Sequence, residues 1–196
     1  MRRLETLLMI GVGLTLLTVV ARASWIEAKA WLAQLLIERA WEQTLVRGEP
    51  VRPWPWADTW PVARLDTPTG ETLYVLESTS GQALAFGPGR VPVREANSGL
   101  LIAGHRDTHF RFLQDISPGD ALTLQNPDGK LRSYQVSGMR VVDARLEMML
   151  PPGHRDELML VSCYPFRAAP AGGPLRYVVY ARADRAGARE GAQWIH

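Results

Sequence analysis

At 196 residues, 46% hydrophobic and 21% charged, the chain has the length of one folded domain plus an appendage, and its composition excludes wholesale disorder. A net charge of +2, with Lys and Arg interspersed among carboxylates, offers no basic surface for nucleic acid. A single cysteine, Cys163, excludes an intrachain disulfide and any Cys-rich metal site.

Arg2 and Arg3 precede an apolar run from Leu7 to Val20, slightly short for a hydrocarbon core of ~30 Å at ~1.5 Å per residue. Two readings fit residues 1–23. In one they form an uncleaved membrane anchor, with Ala21 and Ala23 extending the span and Trp25 at the interface. In the other they form a cleaved signal segment, with Ala21-Arg22-Ala23 as the processing site before Ser24. Both export the rest of the chain. A buried core helix fits poorly, because the run is apolar on every face.

Residues 24–61 form a second unit. Trp25, Ala28, Trp31, Leu32, Leu35, Leu36, Ala40 and Trp41 recur at helical spacing, opposite Glu27, Lys29, Gln34, Glu38 and Arg39, which predicts an amphipathic helix. Ser24 with Glu27 three residues on reads as its N-terminal capping box, and Gly48 and Pro50 end it. From Pro50 to Pro61, proline alternates with tryptophan. Proline forbids a helix interior or central strand there, so the segment should cross the domain extended, with its indoles packed down.

Residues 62–183 have an all-β texture. Apolar runs at Leu73–Leu76, Leu84–Phe86, Leu100–Ala103, Ala121–Leu124, Tyr134–Val142, Leu158–Ser162 and Leu175–Ala181 are separated by Gly, Pro and Asn turn signals. Roughly eight strands at this spacing predict a closed barrel or sandwich. A short helical turn is expected around His109–Asp115, and residues 184–196 read as a charged, Gly-rich tail.

Two segments carry reactive groups at strand ends, where a rigid scaffold delivers a side chain to a cleft. Leu100–Ala103 runs into Gly104 and then His105; Leu158–Val161 runs into Ser162-Cys163 and stops at Pro165. A third strand follows Gly172-Gly173-Pro174 and carries Arg176 in an apolar run, sharing a face with Val178 and Tyr180. By count alone a lone cysteine is more often a buried small hydrophobe than a nucleophile, and by strand pattern alone Arg176 is an edge arginine reaching into water. His105, His109, His154 and His196 form no HExxH array, and Glu147, Asp156 and Glu157 are too dispersed for a Ca²⁺ site; neither a metal nor another cofactor is expected.

IAGHRDTHFRFL, LVSCYPF and an Arg shortly after the Cys together resemble the sortase family. The Trp/Pro-rich leader, ALAFGPG and CYPFRAAPAGGPLRYVV resemble its Gram-negative subgroup. The resemblance implies a mainly β fold, an eight-stranded sortase-type barrel with short helices, preceded by a transmembrane helix and the amphipathic helix. It implies a membrane-anchored thiol transpeptidase in the bacterial inner membrane, with its catalytic domain in the periplasm. Such an enzyme cleaves an LPxTG-like C-terminal sorting signal of a secreted protein through a thioester, then passes the acyl group to an amine. Cys163 would be the nucleophile, His105 the general acid and base, and Arg176 the donor to the oxyanion or the substrate backbone. Arg167 is the alternative arginine and His109 the alternative acid; His154 is expected to face solvent.

This chain departs from the family's TLxTC in reading Met159-Leu160-Val161-Ser162-Cys163, where Ser162 retains a hydroxyl donor and Met159 does not. Arg90 stands where the subgroup tends to carry His and is given no role. Two other readings remain open on the residues: an exported Cys/His hydrolase that releases free acid, and a non-catalytic membrane-tethered β-barrel adaptor with an inert Cys163.

Overall fold

The structure, a computed structural model, describes residues 2–92, 97–168 and 172–184. Residues 185–196, nearly all of the expected tail, lie outside the described residues. The chain divides into two compact units, Met1–Leu36 and Ile37–His196.

Helix α1 spans Arg2–Arg47. The membrane segment and the amphipathic helix are therefore one helix, and Ser24 lies inside it rather than capping a new start. No Gly or Pro interrupts residues 14–47, and alanine recurs through the junction, so nothing breaks the backbone ladder there. Within the first unit, every residue from Met9 to Arg22 is exposed, and the span is long and apolar enough to cross a membrane. Its polar hydroxyls turn back on the helix: Thr15 Oγ1 donates to the Gly11 carbonyl at 2.9 Å and Thr18 Oγ1 to that of Thr15 at 2.7 Å. A lipid-facing helix needs this internal satisfaction. Trp25, Trp31 and Leu32, read from the sequence as part of a packed stripe, are exposed.

In the second unit, the end of α1 buries Ile37, Ala40, Trp41 and Thr44, a run of i, i+3, i+4 and i+7 positions. Ile37 packs with Leu76 and Ala83, and Trp41 Nε1 donates to Gln125 Oε1 at 3.4 Å. Gly48, at φ +72°, takes the left-handed conformation that closes the helix. Beyond it, Trp54 meets Phe86 edge to face and Trp60 packs on the core, while Trp56 is exposed, and the segment, expected to be extended, makes a turn in which the Ala57 N–H donates to the Trp54 carbonyl at 3.0 Å.

Eight strands close into one barrel: β1 (Pro61–Asp66), β2 (Thr72–Leu76), β3 (Gly89–Arg90), β4 (Leu100–Gly104), β5 (Ala121–Gln125), β6 (Leu131–Asp143), β7 (Glu157–Cys163) and β8 (Leu175–Ala183). Their order around the barrel is β1-β2-β3-β4-β7-β8-β6-β5. Leu84–Phe86, read as a strand, belongs to the short helix α2 (Gly81–Phe86) instead. Ser80 decides this locally: its Oγ accepts from the Ala83 N–H at 3.1 Å, an N-cap that three apolar residues cannot override. A 3-10 turn at Arg111–Gln114 falls where a helical turn was expected.

Period-2 alternation sorts the strands into two apolar faces. Ile102, Leu158, Leu160, Val179 and Ala181 point inward with Val75, Leu122 and Val136, forming the barrel core. Leu101, Val142, Met159, Val161 and Val178 form a second cluster on the outer face of β4, β7, β8 and β6, joined by Tyr180 and by Met149 from the loop between β6 and β7. That outer strip is what positions the site.

Candidate active site

The parallel pair β4·β7 and the antiparallel pair β7·β8 end together. Gly104, the last residue of β4, pairs with Ser162; Cys163, the last residue of β7, pairs with Arg176. His105 follows Gly104 directly, so it leaves its strand one residue beyond Ser162's partner, as Cys163 stands one residue beyond Ser162. Adjacent strands run about 4.8 Å apart. The row His105, Cys163, Arg176 therefore crosses three neighbouring strand ends. Cys163 and Arg176 share the outer face with Val161, Met159, Val178 and Tyr180, their alternate neighbours. His105 is exposed and Cys163 half-buried.

Two devices hold the ends in place. Ser162, 2% exposed, donates its Oγ–H to the Gly104 carbonyl at 2.9 Å and so ties the two strand ends across the ladder. Below His105, the Phe110 ring lies against Gly104. A Cβ there would stand 2.7 Å from the ring, so only glycine lets the ring close the turn, in which the Phe110 N–H donates to the His105 carbonyl at 3.0 Å.

Arg176 spends one nitrogen on its own loop: Nη1 donates to the carbonyls of Gly173 at 2.6 Å and Leu175 at 2.8 Å. Among the described residues its Nε and Nη2 have no protein partner, so a fixed guanidinium retains two donor nitrogens. Arg167, the alternative arginine, is exposed in the loop after Cys163. His109 is half-buried and hydrogen-bonded to the Ala85 main chain of α2. Burial pushes its imidazole below the usual histidine range, the Ala85 bond opposes that shift, and neighbouring His105 adds to it. His154 is exposed, its Nδ1 accepting from the Asp156 N–H at 3.2 Å. Arg90 pairs with Glu77 on the far side of β4. Glu147, Asp156 and Glu157 each face an arginine (Arg140, Arg132 and Arg182).

Sequence reasoning missed Arg106. It is 7% exposed, and its fork donates Nη1–H to the Pro165 carbonyl and Nη2–H to the Ala168 carbonyl, each at 2.6 Å. In the sequence it is one more charge in a turn-rich stretch, and only the fold brings the loop after Cys163 over it.

On the same outer face, at the opposite ends of β7 and β8 from Cys163 and Arg176, a groove of about 640 Å³ opens between the β6–β7 loop and the strands, and none of His105, Cys163 and Arg176 lines it. Met148, Met149 and Leu150 form its wall, and Met159, Tyr180 and Arg182 its floor. Met159, where the resemblance noted from the sequence would place a threonine, gives this floor one apolar, pliable side chain beside Arg182.

The family model described as the sortase domain matches residues 67–184. Sortase D of Bacillus subtilis (strain 168) is 30% identical over 114 residues, which are 56% of this chain and 57% of that protein. The chain thus spans little more than half the length of this curated relative. Among solved structures, sortase A from Corynebacterium diphtheriae is 25% identical with a TM-score of 0.53, covering 66% of this chain and 63% of that one. A Clostridium perfringens sortase D5 transpeptidase aligns at a TM-score of 0.58 and 18% identity, over 78% of this chain and 98% of that one, a likeness of fold. The closed barrel and the domain match agree: the chain belongs to the sortase family.

Proposed function

We propose that the protein is a membrane-anchored thiol transpeptidase, with Cys163 as nucleophile, His105 as proton carrier and Arg176 as electrophilic donor. The register at the strand ends carries the reading: Cys163 pairs with Arg176, and Gly104, just before His105, pairs with the residue just before Cys163. A thiol flanked by an imidazole and a guanidinium on rigid strands has the parts that acyl transfer through a thioester needs.

In this reading the sorting signal of a secreted protein, of LPxTG type, runs along the outer face from the groove at Met159 and Tyr180 to Cys163, with its scissile carbonyl over Cys163. The Cys163 thiolate adds to that carbonyl, and Arg176 donates from Nε and Nη2 to the oxyanion. Collapse breaks the peptide bond, His105 protonates the departing amine, and a thioester remains on Cys163. An incoming amine then adds to the thioester, His105 accepts its proton, and the Cys163 thiolate leaves as the new amide forms. The apolar half of α1 is the anchor, in the inner membrane of a Gram-negative envelope, with the barrel in the periplasm.

Intact-mass measurement tests this on the full chain in detergent, mixed with an LPxTG-type peptide and a primary amine. An acyl adduct on Cys163, absent in Cys163→Ala and converted to an amide by the amine, is the expected result. Free acid as the sole product at high amine indicates the hydrolase. No adduct with any of a panel of sorting motifs, together with slow, pH-insensitive alkylation of Cys163, indicates the adaptor.

A further inference from the structure

We infer that Arg106 is a positioning residue for this chemistry, a clamp that fixes His105 against Cys163. The inference rests on the transpeptidase reading above. Arg106 follows His105 directly, yet its side chain points the other way, into the protein: His105 is exposed and Arg106 is 7% exposed. The two partners of its fork lie two and five residues beyond Cys163. Pro165 and Ala168 bound a turn in which the Ala168 N–H donates back to the Pro165 carbonyl at 3.3 Å, and Arg106 takes the carbonyls at both ends of that turn. The third side of the guanidinium, Nε, faces both carboxylate oxygens of Asp107 at 3.3 Å. Within the same turn, Phe166 meets Tyr164 and Tyr177 edge to face, and Tyr164 stacks on Tyr177, so ring packing also holds it.

The consequence is geometric. The β4·β7 ladder ends at Gly104 and Ser162; Cys163 is held one residue further by its pairing with Arg176, whereas His105 lies beyond its strand. Past that point Arg106 joins the two segments through the Pro165 and Ala168 carbonyls. A planar fork reaching two carbonyls sets both distance and orientation, which a lysine ammonium on a flexible stem cannot do. The groove around Met148, Met159 and Tyr180 has no contact with this clamp among its lining residues. Loss of Arg106 should therefore spare peptide binding and impair the reaction.

The test compares full-length wild type, Arg106→Lys, Arg106→Met and His105→Ala in detergent. Each is checked for folding by circular dichroism and a melting curve, then for iodoacetamide alkylation of Cys163 across pH and single-turnover acylation by an LPxTG-type peptide. For folded Arg106→Met, acylation at saturating peptide should fall on the order of 100-fold, the scale of a reacting group misplaced by about an ångström, with Lys between Met and wild type. The peptide concentration at half-saturation should stay within about twofold. The alkylation profile of Arg106→Met should move from that of wild type toward that of His105→Ala.

A lower melting temperature with wild-type acylation per folded molecule overturns the inference, as does a change confined to half-saturation. If Arg106→Met does not fold, Arg106→Lys decides by the same criteria. If wild type acylates with no peptide, the transpeptidase reading fails, and the alkylation profiles judge the clamp alone. An Arg106→Met profile matching wild type, or a wild type indistinguishable from His105→Ala, then overturns it.

Discussion

Ser162 Oγ donates a 2.9 Å hydrogen bond to the Gly104 carbonyl oxygen, joining the residue before Cys163 to the residue before His105. Both atoms are buried, so removing the hydroxyl strands an acceptor rather than returning it to water. Ser162→Ala is expected to lose about 1–2 kcal/mol. That corresponds to roughly 2–8 °C in a melting curve for a domain of this size. Ser162→Thr restores the family's residue and keeps the donor, so it should melt close to wild type. Equal melting of the Ala variant and wild type would remove the bond from the account of how the two strand ends are held.

The ring of Phe110 against Gly104 gives a second expectation. Gly104→Ala places a methyl 2.7 Å from the ring, an overpacking cost of about 1–3 kcal/mol by denaturant unfolding. The same substitution in a Phe110→Leu background should cost measurably less, because the smaller side chain can withdraw. Additivity of the two changes would mean that the ring is not what excludes the methyl.

Most of the barrel was legible because its strands are short apolar runs between turn residues, and Leu100–Ala103, Ala121–Leu124 and Leu158–Ser162 are read within a residue or two of their ends. Where the local pattern was too short to decide, other terms won. Leu84–Phe86 went to a helix because of Ser80, one side chain upstream. The two-residue strand β3 has no apolar run, and β1 is concealed by Arg64 and Asp66, which pair with each other at 3.0 Å in its half-exposed positions. The site separates in the same way. Cys163 and His105 stand at visible strand ends, and the adjacency of Cys163 to Arg176 follows from a hairpin the sequence announces. Arg106 was invisible because its partners are main-chain carbonyls, which have no signature in residue types.

His109 links the site to pH. Its imidazole is held below the ordinary value of 6.5, chiefly by burial and further by His105, against the hydrogen bond to Ala85. With the folded value depressed, the unfolded chain binds the proton more readily. The stability that neutral His109 secures is full above about 6.5 and is lost as pH falls through the folded value. Denaturant unfolding of wild type and His109→Gln from pH 7.5 to 5 should show wild type losing stability relative to the variant below that point. The difference cancels the carboxylates common to both. A constant gap across the range would mean that the imidazole does not titrate in a buried setting.

The last expectation concerns how Arg176 divides its donors. Nη1 is committed to the carbonyls of Gly173 and Leu175, which fixes the guanidinium plane, and among the described residues Nε and Nη2 have no protein partner. A lysine at this position can satisfy the loop or reach the reacting carbonyl, but one ammonium cannot do both along a fixed plane. Arg176→Lys should therefore slow acylation at saturating peptide by about 100–1,000-fold, the scale of removing an oxyanion donor. Iodoacetamide alkylation of Cys163, which develops no oxyanion, should stay near wild type. Arg176→Ala should slow acylation at least as much and also loosen the β7–β8 loop, read as faster amide exchange at Gly172 and Gly173. If Lys and Ala slow alkylation as much as acylation, Arg176 acts on the thiol itself and not on the developing negative charge, and the division of its donors has no bearing on the reaction.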